Sequence, residues 1–239
     1  PISSGNVFGS GDFTALTEIG MPMAYFYGFE TAGVFQTQAE ADANAAQPDA
    51  VAGDLIFVDQ NGDGKLDNND KVMIGNPHPD FTYGLNFDVS RGPFDLNVFL
   101  QGSHGNDLYN GIFRYDLNMT NLPVSALERW TGEGSTNEQP RLSHTDPNRN
   151  NRVSDRFVED GSYLRIKNVQ FGYNLQDAAL DRLGLEALRV YVAATNLFTF
   201  TSYSGLDPEV GNRGTLEIGI DRGFYPSPRM FMAGLNVTF

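Results

Sequence analysis

The run Asp59-Gln-Asn-Gly-Asp-Gly-Lys-Leu-Asp-Asn-Asn-Asp70 sets oxygen donors at the first, third, fifth, ninth and twelfth places of one short loop, with Gly64 at the sixth. Calcium is a hard cation that takes about six to eight oxygens, and a tightly turned loop with this spacing can supply them. Asp59, Asn61 and Asp63 would offer side-chain oxygens and Lys65 its carbonyl. Asp67 would bind directly or through water, and Asp70 would close the site. Asp70 stands where the longer Glu is usual, which weakens bidentate closure. The role of such an ion would be structural, holding together carboxylates that otherwise repel. The competing reading is a solvated Asn/Asp/Gly turn cluster.

Catalytic constellations are not found. His78, His104 and His144 are scattered, without a nucleophile elbow or paired metal-ligand spacing beside them. Glu159, Asp160 and Glu186 could be imagined as a glycosidase acid and base, but that chemistry needs two carboxylates converging across a cleft, and spacing along one chain does not establish it. Gly9-Ser-Gly11 lacks the lysine and the strand-to-helix setting of a phosphate loop. No catalytic residue is assigned. The aromatic side chains Tyr109, Phe113, Tyr115 and Trp130 are candidates for stacking on sugar rings, or for packing their own loop onto its neighbours.

The elements that must carry these residues are strands. The 239 residues include 26 Gly, 18 Phe and 10 Tyr beside one Trp, a composition that favours strands and turns over helices. No run approaches the roughly 18 apolar residues of a membrane-spanning helix. Mean hydropathy does not bear on a membrane barrel, in which lipid-facing and lumen-facing residues alternate and cancel. A formal charge of -14 argues against a nucleic-acid partner. Zero Cys removes disulfides and thiolate chemistry. The opening Pro1-Ile-Ser-Ser-Gly5 has no charged or apolar leader region, so a signal peptide has been removed or the chain starts internally.

From Phe81 the chain divides into segments of about ten residues with period-2 alternation. Phe81, Tyr83, Leu85, Phe87 and Val89 share one face, opposite Thr82, Gly84, Asn86, Asp88 and Ser90. Arg91-Gly92 makes a tight turn, after which Phe94, Leu96, Val98 and Leu100 oppose Asp95, Asn97 and Gln101, and Phe99 alone breaks the polar face. A further strand begins at Tyr163, where a bulge near Lys167-Asn168 reconciles two halves of opposite parity. Residues 176–183 read as a short helix. Strands follow from Arg189 to Phe200 and from Arg229 to the terminal Phe239. Arg165 and Lys167 should face a lumen in preference to snorkelling at an interface, since lipid rejects them. Spanning strands with short turns at one end and long polar loops at the other form the pattern of an outer-membrane barrel. An antiparallel sandwich with one buried face gives the same alternation.

Taken in order, Gly75-Asn-Pro77, Phe81-Thr-Tyr-Gly84, Gln101-Gly102, Gly105-Asn-Asp107, Arg129-Trp130, Asp160-Gly-Ser-Tyr-Leu-Arg165 with Lys167-Asn168, Asn196-Leu197, Asp207-Pro-Glu209, Tyr225-Pro226 and Phe239 resemble the C-terminal part of SusC/RagA-type TonB-dependent transporters. Phe26-Tyr-Gly28 and Gly33-Val-Phe35 fit the same pattern, so the resemblance covers nearly the whole chain.

The resemblance implies an all-β fold, an antiparallel transmembrane β-barrel of about 22 strands closed by an N-terminal plug. Of these the chain would hold only the C-terminal strands, about six, and a barrel needs at least about eight. Residues 1–80 would form a barrel strand and an extracellular loop carrying the calcium-type loop 59–70. Residues 81–239 would form the last five barrel strands, with long loops 102–162 and 201–227. The implied function is import of oligosaccharides or peptides across the bacterial outer membrane. The implied partners are a SusD-like surface lipoprotein, TonB acting through the N-terminal part, the remainder of the barrel and plug, and membrane lipid. The rival expectation is a secreted, calcium-stabilised β-sandwich that binds carbohydrate.

Overall fold

The computed structural model describes the chain except residues 5–12, 113–121, 123, 176–179, 181–183 and 212–213. Two compact units emerge. One gathers Pro79–Asn106, Asp160–Glu209 and Tyr225–Phe239, and the other gathers Pro1–His78, Asp107–Glu159 and Val210–Phe224.

The first unit is built on five long strands: β1 (Phe81–Arg91), β2 (Phe94–His104), β3 (Tyr163–Asn174), β4 (Ala187–Thr201) and β5 (Met230–Thr238). They form one antiparallel sheet in which each strand lies beside its neighbour in the chain. Gly92, at φ 58°, makes the turn between β1 and β2 in a conformation that side chains resist. Strands of 9 to 15 residues meet the length of about 9–11 that a tilted strand needs to cross a bilayer.

Register turns the alternation of single strands into a continuous surface. Phe87, Val98, Val169, Ala194 and Phe231 form one cross-strand row, and Val89, Leu96, Phe171, Val192 and Ala233 the next. Lys167 is the extra residue of the expected bulge: pairing with both neighbouring strands shifts between Ile166 and Asn168. Without it the two halves of β3 would turn opposite sides to the same face. The short helix expected over residues 176–183 lies outside the described residues apart from Leu180.

Among the described residues, no second layer covers the apolar face. Phe87 is 52% exposed, Val192 54%, Phe231 71% and Phe239 86%. A sandwich would bury these side chains between sheets, so the β-sandwich expectation is overturned. Five strands leave β1 and β5 as the edges of an open sheet. The barrel strand expected within residues 1–80 is not among the described elements there, whose longest strands have four residues.

The second unit is a folded body made from segments that read as loops. Ile2–Ser4, Ala15–Thr17, Tyr25–Gly28 and Val72–Gly75 form a small antiparallel sheet. Thr31–Val34 pairs with Leu55–Phe57, and Asp107–Asn110 runs parallel to Ile220–Asp221. One core joins Ala15, Phe26, Tyr109, Val153, Phe157 and Ile220, and another joins Phe29, Val34, Leu55 and Phe57. Burying each such large apolar side chain contributes roughly 1.5–3 kcal/mol, enough to order chain that carries little periodicity. The one-and-a-half-turn helix Gln38–Ala43 starts at Thr37, whose hydroxyl accepts from the Glu40 amide while Glu40 reaches back to the Thr37 amide.

Candidate functional site

On the face opposite the apolar rows the sheet carries a connected polar surface. The Asn97 amide donates to Asn86 at 3.0 Å and to Asp88 at 2.7 Å, and Asn168 donates to Asn97 at 3.1 Å. Arg189 holds Asp95 across two strands, Nε to Oδ1 at 3.0 Å and Nη2 to Oδ2 at 2.5 Å. Aromatic rings on this face lie over glycines. Phe99, the exception in the sequence pattern, packs beside Gly84, and the Tyr191 ring covers Gly234 so closely that an added Cβ would sit 2.5 Å from it. Rings laid over strand glycines protect backbone that would otherwise be bare.

The strongest electrostatic feature joins β3 to the chain after β4. Arg165 is 3% exposed. Its Nη2 donates to Asp207 Oδ1 at 2.5 Å, its Nη1 to Glu209, and its Nε to Thr199 Oγ1 at 2.8 Å. Lys167 Nζ reaches Glu209 Oε2 at 2.9 Å, and the Tyr163 hydroxyl donates to Glu209 Oε1 at 3.0 Å. Asp207 also accepts from the backbone amides of Glu209 at 2.9 Å and Ser227 at 2.8 Å. Burial by itself would raise the Asp207 carboxyl, but Arg165 and these two amides outweigh it and hold the group below the ordinary carboxylate range. Two loop segments, around 207–209 and 227, are thereby fixed to one strand. Arg165 and Lys167 lie off the apolar face, as the lumen reading expects.

Sequence reading placed Arg165 and Lys167 but did not foresee their partners. Asp207 is 42 positions from Arg165, and no spacing rule links them. The available signal was the need of a charged strand residue for a counter-charge.

The loop 59–70 is tightly turned. Asp59 accepts from the amides of Gly62 and Gly64, each at 2.8 Å, and Asp63 accepts from Lys65 at 2.9 Å. The Gly64 amide, foremost, lowers the Asp59 carboxyl. Asn61 accepts from Asp63 at 2.8 Å and Asp67 from Asn69 at 2.7 Å. Asp70 is fully buried and reaches back to the amides of Gln60 at 3.1 Å and Asp67 at 2.8 Å. The residue types and order suit calcium. As the loop stands, these carboxylates are satisfied by backbone N–H groups, and among the described residues no three Asp, Glu, His or Cys side chains converge on a point that could hold a metal.

The four aromatic candidates separate. Tyr109 is fully buried between Phe26 and Phe157, with ring centroids 5.9 and 5.6 Å away, so it is a core residue and not a stacking platform. Trp130 packs on the Phe29–Phe57 core and over Gly53, and its indole N–H donates to Gln36 Oε1 at 3.3 Å. Phe113 and Tyr115 lie outside the described residues. His78 Nε2 is 2.7 Å from the Met23 carbonyl oxygen and His104 packs on the Phe81 ring.

No family model matches the chain. It is 36% identical over 234 residues to TonB-dependent receptor P3 of Formosa agariphila, a match covering 95% of this chain and 23% of that protein. With TonB-dependent receptor SusC of Bacteroides thetaiotaomicron it shares 31% identity over 188 residues, 77% of this chain and 17% of SusC. Among solved structures, the RagAB peptide importer in its open-open state superposes with a TM-score of 0.71 at 21% identity, covering 96% of this chain and 24% of that one, which shows a shared fold. The chain thus spans about a quarter or less of the length of these relatives. On this sequence and fold, it belongs to the SusC/RagA-type TonB-dependent receptors, outer-membrane proteins of Gram-negative bacteria.

Proposed function

We propose that this chain supplies part of the wall and surface loops of a TonB-dependent importer of oligosaccharides or peptides, and is not an enzyme. The observation that carries this reading is the apolar face continuous across five registered strands, backed by a polar face of paired charges and amides. Hydrocarbon satisfies the first face and a water-filled interior the second. An edge strand exposed to lipid leaves backbone groups unsatisfied, so β1 and β5 would pair with further strands of a closed barrel. A plug, TonB and a SusD-like lipoprotein lid complete the proposed machine. The relatives named SusC and RagAB, the latter a peptide importer, support this assignment of class.

The test is fractionation followed by uptake. The full-length receptor should partition with the detergent-extracted outer membrane, and its deletion should abolish uptake of a labelled oligosaccharide or peptide by whole cells. Recovery in the soluble fraction without detergent would overturn the reading.

A structural calcium ion on Asp59, Asn61, Asp63, Lys65, Asp67 and Asp70 is part of the proposal. Support comes from donor order and from a loop already curled around Asp59 and Asp70. Chelation should speed proteolytic cutting within residues 59–70, and added calcium should reverse it. Cutting that is indifferent to chelator would refute the ion.

A further inference from the structure

The wall formed by the long strands has a step in it. Strand β4 runs over Ala187–Thr201, but its pairing with β5 ends where Thr195 meets Met230, so residues 197–201 have a neighbouring strand on the β3 side alone. Among the described residues, no backbone hydrogen bond reaches 196–201 from the other side. The step falls at a second irregularity in the ladder. Between the pairs Ile166 with Phe198 and Asn168 with Thr195, β3 spends one residue, Lys167, and β4 spends two, Asn196 and Leu197. Asn196 takes φ 50°, a left-handed value that Asn accepts more readily than most residues. The nine residues of β5 already reach the length that crosses a bilayer, which leaves the overhang of β4 outside the hydrocarbon, at the end of the sheet that carries the long loops.

The chain's own approach to β5 does not fill this step. Pro226 and Pro228 have no N–H to give a ladder. The one amide between them, Ser227 N–H, donates to Asp207 Oδ2 at 2.8 Å, and the Pro228 carbonyl accepts from Asn196 Nδ2 at 3.0 Å. The clamp on Arg165 thus holds this segment to another task and keeps the edge of β4 open. Side chains on the overhang offer little further hydrogen bonding. The Thr201 hydroxyl donates to the Ser162 carbonyl at 2.9 Å and accepts from the Tyr203 amide at 3.1 Å, and Thr199 Oγ1 accepts from Arg165 Nε at 2.8 Å. What is left is backbone N–H and C=O in strand register, about two or three residues of it turned to the open side, beside the rings of Phe198 and Phe200. Those rings are half exposed, with centroids 4.7 Å apart.

We propose that the overhang of β4 captures a peptide solute as an added strand of about five residues, with apolar side chains set opposite Phe198 and Phe200; this rests on the importer reading and narrows its solute to peptides. An extended polypeptide matches an open strand edge rung for rung, whereas a sugar ring offers no such repeat. Backbone pairing supplies affinity without reading sequence, and the two rings add a preference for apolar residues at alternate positions of the peptide.

The experiment is fluorescence polarisation of a fluorescein-labelled heptapeptide alternating valine and threonine, titrated with the detergent-solubilised full-length receptor. Saturable binding is expected. The same peptide N-methylated at every amide keeps its side chains and loses its donors, and its affinity should fall at least about tenfold, the loss of one or two backbone hydrogen bonds. Phe198→Lys combined with Phe200→Lys should weaken the unmethylated peptide by a similar factor. The methylated peptide requires no change to the protein, so it decides the matter where the double variant does not fold, as judged by heat-modifiable mobility. Binding that does not saturate, that is indifferent to methylation, or that persists undiminished in a folded double variant overturns the proposal. So does binding seen only with the surface lipoprotein present, which would put the peptide's site on that partner. If cells take up a labelled oligosaccharide while the receptor binds no peptide, the importer reading stands and the added strand alone falls.

Discussion

Arg165 and Asp207 face each other with the guanidinium Nη2 2.5 Å from the carboxylate, both nearly excluded from water, at 3% and 8% side-chain exposure. An arginine at this depth is tolerable only because Asp207, Glu209 and Thr199 together fill its donor positions. Removing Asp207 leaves the buried guanidinium with Glu209 as its remaining carboxylate and strips Nη2 of its partner, a loss approaching the roughly 3–5 kcal/mol of a broken buried pair. Asp207→Ala should therefore free the loop around 207–209 and lower the temperature at which the receptor loses its heat-modifiable mobility. The double variant Arg165→Met with Asp207→Leu should lose less stability than Asp207→Ala alone, because no charge is stranded. The comparison is read by thermal shift and limited proteolysis.

The same pair sets a pH dependence. Asp207 has its folded carboxyl below the usual value of about 3.9, so its contribution to stability is present above that value and is lost as pH falls through the lower folded one. Pepsin cleavage near residues 207–209 should stay slow from neutral pH down to about 4 and accelerate below it. In Asp207→Asn the acid-dependent step at this loop should disappear.

Val192 projects from the apolar face and Gln170 from the polar one, on neighbouring strands. Val192→Arg should cost about 2–4 kcal/mol if it sits near the bilayer midplane. Gln170→Arg should cost much less, because that side is wet. Urea unfolding of the receptor refolded into lipid vesicles distinguishes the two, and equal costs would mean that the faces are not differently solvated.

Gly102 on β2 leaves space for the Tyr83 ring, whose hydroxyl donates to the Tyr163 carbonyl at 3.2 Å. A Cβ there would come within 2.5 Å of that carbonyl oxygen, which is backbone and cannot swing aside. Gly102→Ala should destabilise by about 1–3 kcal/mol. Adding Tyr83→Ala should not restore the loss, since the backbone clash remains. Gly62→Ala, where no atom lies within 4 Å but φ is 71°, should cost only the backbone strain.

The long strands were legible because most repeat one period over about ten residues, so Phe81 to Val89 declare a face without knowledge of any partner. The bulge at Lys167 was legible for the same reason: an apolar pattern that changes parity has to gain a residue. The loop unit was not. Its strands are two to four residues long, too short to show a period, and Tyr109 finds its core partners Phe26 and Ile220 in distant parts of the chain. Tyr109 thus read equally as a stacking aromatic or as packing for its loop, and it is a central core residue. The partners of Arg165 were hidden similarly, because only folding brings Asp207 and Glu209 to it. The donor spacing of 59–70 was readable because that pattern is local.

The parallel pairing of Asp107–Asn110 with Ile220–Asp221 joins two segments far apart in the chain. The first of these segments leaves the ribosome about a hundred residues ahead of its mate, with β3 and β4 synthesised in between. The earlier stretch, with Tyr109 at its centre, must wait unfinished through that interval, its apolar surface open to mispairing. Truncation anywhere before residue 220 should leave Asp107–Asn110 without its parallel mate and the core around Tyr109 without Ile220.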